Sequence, residues 1–69
     1  MPFRFGLLGA GNVAHTHCQA IQLLPDVEMS AVADVHRARA EALAQQYGIP
    51  HAFGSAEELL AAVDVDAVS

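Results

Sequence analysis

At 69 residues the chain is one small domain at most, and a chain this short buries only about 60% of the surface its unfolded form exposes. Apolar residues make up 54% and charged residues 16%, which excludes a disordered, highly charged tail. Three arginines against eight acidic residues give a net charge of −5, which argues against nucleic acid and anionic membrane as partners.

The first residues, Met1-Pro2-Phe3-Arg4-Phe5-Gly6, lack a basic segment leading into a long apolar stretch, so no signal peptide is expected. No apolar run approaches the roughly 18–20 residues needed to cross a bilayer. Phe3 to Leu8 reads as a short strand that runs into a glycine pair, Gly9 and Gly11. Asn12 to Leu24 carries no Asp, Glu, Lys or Arg and is stopped by Pro25. Val13, Ala14, His17, Ala20, Ile21 and Leu24 recur there at helical spacing, which predicts an inward face. Val27 to Ala33 alternates at first and then becomes solidly apolar, as a buried parallel strand does, and it ends at Asp34.

His36 to Tyr47 reads as a second helix with Ala40, Leu43, Ala44 and Tyr47 on one side. Its alanines at 38, 40, 42 and 44 suit close approach to a sheet. Gly48 stands where a left-handed C-cap glycine would, with Pro50 two residues on. His51-Ala52-Phe53 suits a short edge strand. Ser55 and Glu58 have capping-box spacing and open a third helix through about Ala62. Val65 to Ser69 begins a further strand.

The fold class is therefore α/β: a partial Rossmann fold, a parallel sheet in βαβαβαβ order, cut short at its C-terminal edge. The expected strand order is 3-2-1-4, and right-handed crossovers place the first two helices on one face and the third on the other. The third helix alone would leave apolar sheet exposed, and the last strand would be an open edge. Either the native polypeptide continues past Ser69, or the sheet is completed by a partner.

Gly9-Ala10-Gly11-Asn12-Val13-Ala14 matches G-x-G-x-x-G/A between a strand and a helix, the setting a dinucleotide fingerprint requires. Gly9 permits the tight turn, Gly11 lets main chain approach a pyrophosphate, and Ala14 lets helix pack on strand. The amides near Asn12 and Val13 open the helix, where its dipole favours an anion. Asp34, twenty residues after Ala14, suits the hydroxyls of the adenosine ribose. The plainer alternative is that Asp34 caps the next helix and the glycines only turn the chain. Strand, fingerprint, helix, strand and acid in register favour the functional reading.

Asp34 disfavours a 2′-phosphate, so NAD is the expected cofactor; Arg37 just beyond leaves NADP open. For Arg39 a solvated helix face suffices. Walker A chemistry is excluded because the chain has no lysine. His15 and His17, two apart on a helix, point about 200° from each other and cannot share a metal. His17 reads as a packing residue on the apolar face. Cys18, the lone cysteine, fits a reducing cytoplasm and a buried small residue. No metal site and no catalytic residue are expected within the chain.

The run Gly6 to Ala14, then His17, Ala31-Val32-Ala33-Asp34, Arg37, Ala40, Tyr47-Gly48-Ile49-Pro50, Glu57-Glu58-Leu59-Leu60 and Val65-Asp66-Ala67-Val68 resembles the N-terminal half of the nucleotide-binding domain in Gfo/Idh/MocA oxidoreductases. The resemblance covers nearly the whole chain. It implies hydride transfer between NAD or NADP and a sugar, inositol or related polyol. It also implies cofactor contacts from Gly9, Ala10, Gly11, Asn12 and Val13 to the pyrophosphate and from Asp34 to the ribose. In that family a C-terminal α/β domain supplies the substrate site and most contacts of the homo-oligomer. A Pro-Asn loop and a Glu-Lys-Pro motif with the catalytic lysine follow the corresponding segment; none of these lies in residues 1–69. The leading reading is thus the NAD(P)-binding segment of such an enzyme. The alternatives are a stand-alone, non-catalytic dinucleotide module that dimerises to complete its sheet, and a βαβ piece that binds nothing.

Overall fold

The computed structural model describes residues 3–68, and for Asn12 and Val13 the main chain alone. The elements alternate as the sequence indicates: β1 (Phe3–Leu8), α1 (Asn12–Gln22), β2 (Val27–Ala33), α2 (Arg37–Tyr47), β3 (His51–Phe53), α3 (Ala56–Ala62) and β4 (Ala67–Val68). They form one parallel sheet in the order β3-β2-β1-β4. Parallel neighbours require crossovers, and each helix supplies one.

Two separate cores flank the sheet. On the α1/α2 side, Leu7, Ala10, Ala14, Cys18, Val32, Ala40, Leu43, Ala44 and Ile49 form one cluster. On the α3 side a smaller cluster of Ala31, Ala33 and Leu59 is buried, with Phe53, Val63 and Val65 partly covered around it. The pairing of β1 with β2 slips between Phe5↔Met29 and Gly6↔Ala31, so Ser30 is left over as a bulge. A one-residue slip reverses facing, and Met29 consequently packs on the same side as Val32.

Element ends follow local chemistry. The α1 helix closes at Leu23, two residues before Pro25, because the residue preceding proline is disfavoured in helical geometry. Gly48 takes φ 68° at the end of α2, and the next amide, Ile49, donates back to the Ala44 carbonyl. The Ser55 hydroxyl accepts the Glu58 N–H at 3.1 Å and starts α3.

Three expectations need correcting. His17 is exposed, as are Ala20 and Leu24; the inward row of α1 is Ala14, Cys18 and half-buried Ile21. The short turn from β1 sets that phase, and small side chains at 14 and 18 let the helix lie close to Leu7 and Val32. On α2 only Ala40 and Ala44 of the four alanines are buried, and Ala38 and Ala42 face solvent. The last strand is shorter than Val65–Ser69: Val65 packs on the α3 core, and the Asp66 N–H donates to the Arg4 carbonyl ahead of Ala67. Ser69 and the side chain of Val13 lie outside the described residues.

Candidate dinucleotide-binding site

The chain leaves β1 through Gly9 at φ +98°, a conformation that disfavours any side chain, so the turn itself demands glycine there. Gly11 differs. Its φ of −82° is open to every residue, and a Cβ built on it would meet nothing within 4 Å. Neither the backbone angles nor the packing at 11 requires glycine, although glycine also serves as an N-cap. What a side chain would obstruct is the space outside it, where α1 begins. Among the described residues no side chain caps that helix end, and no acidic residue occupies its first turn. The first amides of a helix have no partner within the helix, and the dipole there favours an anion. An anionic group such as a phosphate would suit the chemistry of this helix start.

Asp34 stands beside it. Its main chain still belongs to the sheet, with the N–H donating to the Phe53 carbonyl at 3.1 Å. Its carboxylate leaves the sheet and accepts two main-chain hydrogen bonds, Oδ2 from the Ala10 N–H at 2.8 Å and Oδ1 from the His36 N–H at 2.7 Å. These two bonds, Ala10 first, hold the carboxyl below its ordinary range; burial opposes them, and the charges of His36 and Arg39 add to the lowering. Ionised, it only accepts, and a carboxylate has about four lone-pair sites, so room remains for hydroxyl donors. The capping alternative is half met: Asp34 does bond the His36 amide, yet α2 has no side-chain cap at His36 itself.

An open depression of about 290 Å³ lies outside the carboxyl ends of β1 and β2, lined by Leu8, Gly9, Asp34, Val35 and Ser55 among others. In open α/β sheets ligands bind at that end, where the strand order reverses. The chain moves outward from β1 to β3 on one side and returns to β4 on the other. Val35, 86% exposed, and Leu8 give this depression an apolar rim that sequence reasoning missed. The signal was present: an apolar residue directly after the acid, at a position no core required.

The remaining residues separate clearly. Arg37 pairs with Glu41 one turn along α2, Nε to Oε1 at 3.4 Å, and of the two arginines it is Arg39 whose charge acts on Asp34. His15 is held by the Tyr47 hydroxyl at 2.9 Å, tying α1 to α2. Cys18 is buried, which pushes its thiol pKa up and keeps it protonated. Among the described residues no three His, Cys, Asp or Glu side chains gather as a metal would need, and no helix is long and apolar enough to cross a membrane.

A glycine turn, an uncapped helix start and a carboxylate at the end of the next strand define the nucleotide-binding half of a Rossmann fold. The family model described as an oxidoreductase family with an NAD-binding Rossmann fold matches residues 3–69. The chain belongs to this family, Gfo/Idh/MocA, and carries part of its NAD-binding fold. It is 43% identical over 68 residues to the inositol 2-dehydrogenase of Rhizobium meliloti, covering 99% of this chain and 20% of that protein. The WlbA dehydrogenase of Bordetella pertussis, solved with NADH and UDP-GlcNAcA, superposes with a TM-score of 0.89 at 29% identity, covering 99% of this chain and 21% of that one. A 3-ketoreductase variant from Actinomadura kijaniata, solved with TDP-benzene and NADP, gives a TM-score of 0.88 at 29% identity over 99% of this chain and 22% of that one. The chain thus spans about a fifth of the length of the proteins it matches.

Proposed function

We propose that these residues bind the adenosine and diphosphate parts of NAD within an oxidoreductase that moves hydride to or from a sugar, inositol or related polyol. Gly9, Ala10, Gly11 and the Asn12 and Val13 amides receive the diphosphate, Asp34 takes the ribose hydroxyls, and Leu8 and Val35 flank the adenine. The nicotinamide, when bound, supplies or accepts the hydride. This segment binds and orients; it holds no acid or base for the substrate. Those groups, and a C-terminal substrate domain, belong in this reading to sequence outside residues 1–69, in keeping with relatives about five times longer.

The observation that carries the proposal is Gly11, a glycine that neither backbone angle nor packing requires, set at a helix start that no described side chain caps and next to Ala10, whose amide is held by an ionised Asp34. NAD is favoured over NADP because Asp34 repels a 2′-phosphate while Arg37 is engaged by Glu41. Arg39 is the remaining cation near that carboxylate and keeps NADP within reach. The net charge and the reduced cysteine fit a cytoplasmic enzyme without nucleic-acid or membrane partners.

A second reading, a non-catalytic module that dimerises, draws on the open outer edge of β4, which carries exposed Val68, and on exposed Leu60 of α3. Homo-oligomers are expected under both readings. Calorimetric titration of the full-length protein with NADH and NADPH tests the proposal: NADH binds more tightly, and Asp34→Ala weakens it. No binding of either dinucleotide would refute it. Turnover of a polyol with NAD separates the enzyme from the module.

A further inference from the structure

Two consecutive amides of the glycine loop are tied to the end of β2. The Gly9 N–H donates to the Ala33 carbonyl at 2.7 Å, and the Ala10 N–H donates to Asp34 Oδ2 at 2.8 Å. The first bond prolongs the β1–β2 ladder, and any residue at 33 would supply it. The second depends on one side chain. Asp34 itself is held at three points: its N–H on Phe53, Oδ1 on the His36 amide and Oδ2 on the Ala10 amide. A carboxylate fixed in this way is a strut between the turn that ends β2 and the turn that ends β1. Past Ala10 the chain turns at once into α1, with the Gly11 carbonyl already accepting from Ala14 at 3.0 Å. The direction in which the first helical amides point therefore depends on where Ala10 is held.

Resting on the dinucleotide reading above, we propose that Asp34 is a positioning residue for the diphosphate loop as well as the acceptor of the ribose. It holds the Ala10 amide and so sets the Gly9–Gly11 turn in its receiving shape before any ligand arrives. The sugar and the diphosphate are then recognised through one shared group. Loss of that group weakens binding even of ligands that have no sugar hydroxyls.

The test compares ADP with 2′,3′-dideoxy-ADP on full-length wild type and on Asp34→Ala. Both ligands weaken in the variant, ADP by about 100-fold and the dideoxy compound by about tenfold. Dideoxy-ADP binding that is equal in the two proteins would overturn the proposal and leave Asp34 with the sugar alone. Failure of wild type to bind ADP at all would instead refute the dinucleotide reading. Asp34→Asn, which keeps an oxygen for the Ala10 amide, restores part of the dideoxy-ADP affinity; no restoration counts against the strut. Should the alanine variant not fold, amide exchange in unliganded wild type decides: Ala10 is protected if the strut exists, and exchange as fast as an exposed loop amide contradicts it.

Discussion

Two aspartates hold the two ends of β1, and they do so differently. At the amino end, Asp66 Oδ2 accepts the Arg4 N–H at 2.7 Å and also faces the Arg4 guanidinium at 3.8 Å. At the carboxyl end, Asp34 accepts the Ala10 N–H and, among the described residues, makes no ion pair. The bond to main chain is the same, but the charge is answered internally in one case and left available in the other. A carboxylate with its own cation is a fastening between strands. One hydrogen-bonded by two main-chain amides, with Arg39 acting on it only at longer range and no ion pair among the described residues, keeps acceptor capacity for a ligand. Position in a parallel sheet decides which, because the carboxyl ends carry the helix starts.

The sharpest way to break this contrast is to remove each carboxylate in turn. Asp34→Ala should weaken NADH binding by about 100-fold, whereas Asp66→Ala should leave it unchanged and cost about 1 kcal/mol of stability. Calorimetry paired with thermal denaturation reads both; equal effects of the two on binding would erase the distinction. The glycines offer a second pair. Gly11→Val should abolish most NADH binding, since its side chain enters open space, at a stability cost of no more than about 1 kcal/mol for the poorer N-cap. Gly6→Ala should do the reverse: its Cβ would lie 3.1 Å from Val68 Cγ1 and 3.2 Å from Leu59 Cδ2, and such overpacking costs roughly 1–3 kcal/mol.

Acid has a smaller, graded effect. The folded state holds Asp34 below the ordinary carboxylate value, so the unfolded chain takes up the proton more readily. The stability this contributes is complete above about pH 4 and is lost as pH falls through the lower folded value. Denaturation followed from pH 6 downward should therefore show an acid limb that flattens in Asp34→Asn. The smallest change is expected from Ser55→Ala, about 1 kcal/mol through the lost cap of α3, with no change in NADH affinity.

Much of this architecture is legible in the residues. The Gly48 cap and the Ser55 cap rest on short-range turn chemistry, and the strand order follows from the alternation of elements with right-handed crossovers. The inward face of α1 is only partly legible that way, because counting apolar residues set His17, Ala20 and Leu24, all exposed, beside Ala14 and Ile21. The tight turn from β1 chose Ala14 and Cys18, whose merit is small size rather than hydrophobicity. The contacts that tune the site join residues far apart in sequence: Asp34 with Ala10 across 24 positions, His15 with Tyr47 across 32, Arg4 with Asp66 across 62. Spacing marked Asp34 as a candidate for the ribose but carried no hint that it grips the loop, nor that Arg37 turns to Glu41.

A crystal structure of the full-length protein grown with NADH would be decisive. The diphosphate should lie on the amides that open α1, over Gly11, with the adenosine ribose against Asp34 and the Ala10–Asp34 bond intact. A dinucleotide seated elsewhere, or a Gly9–Gly11 turn that stays empty at saturating NADH, would contradict the assignment of this loop to the diphosphate.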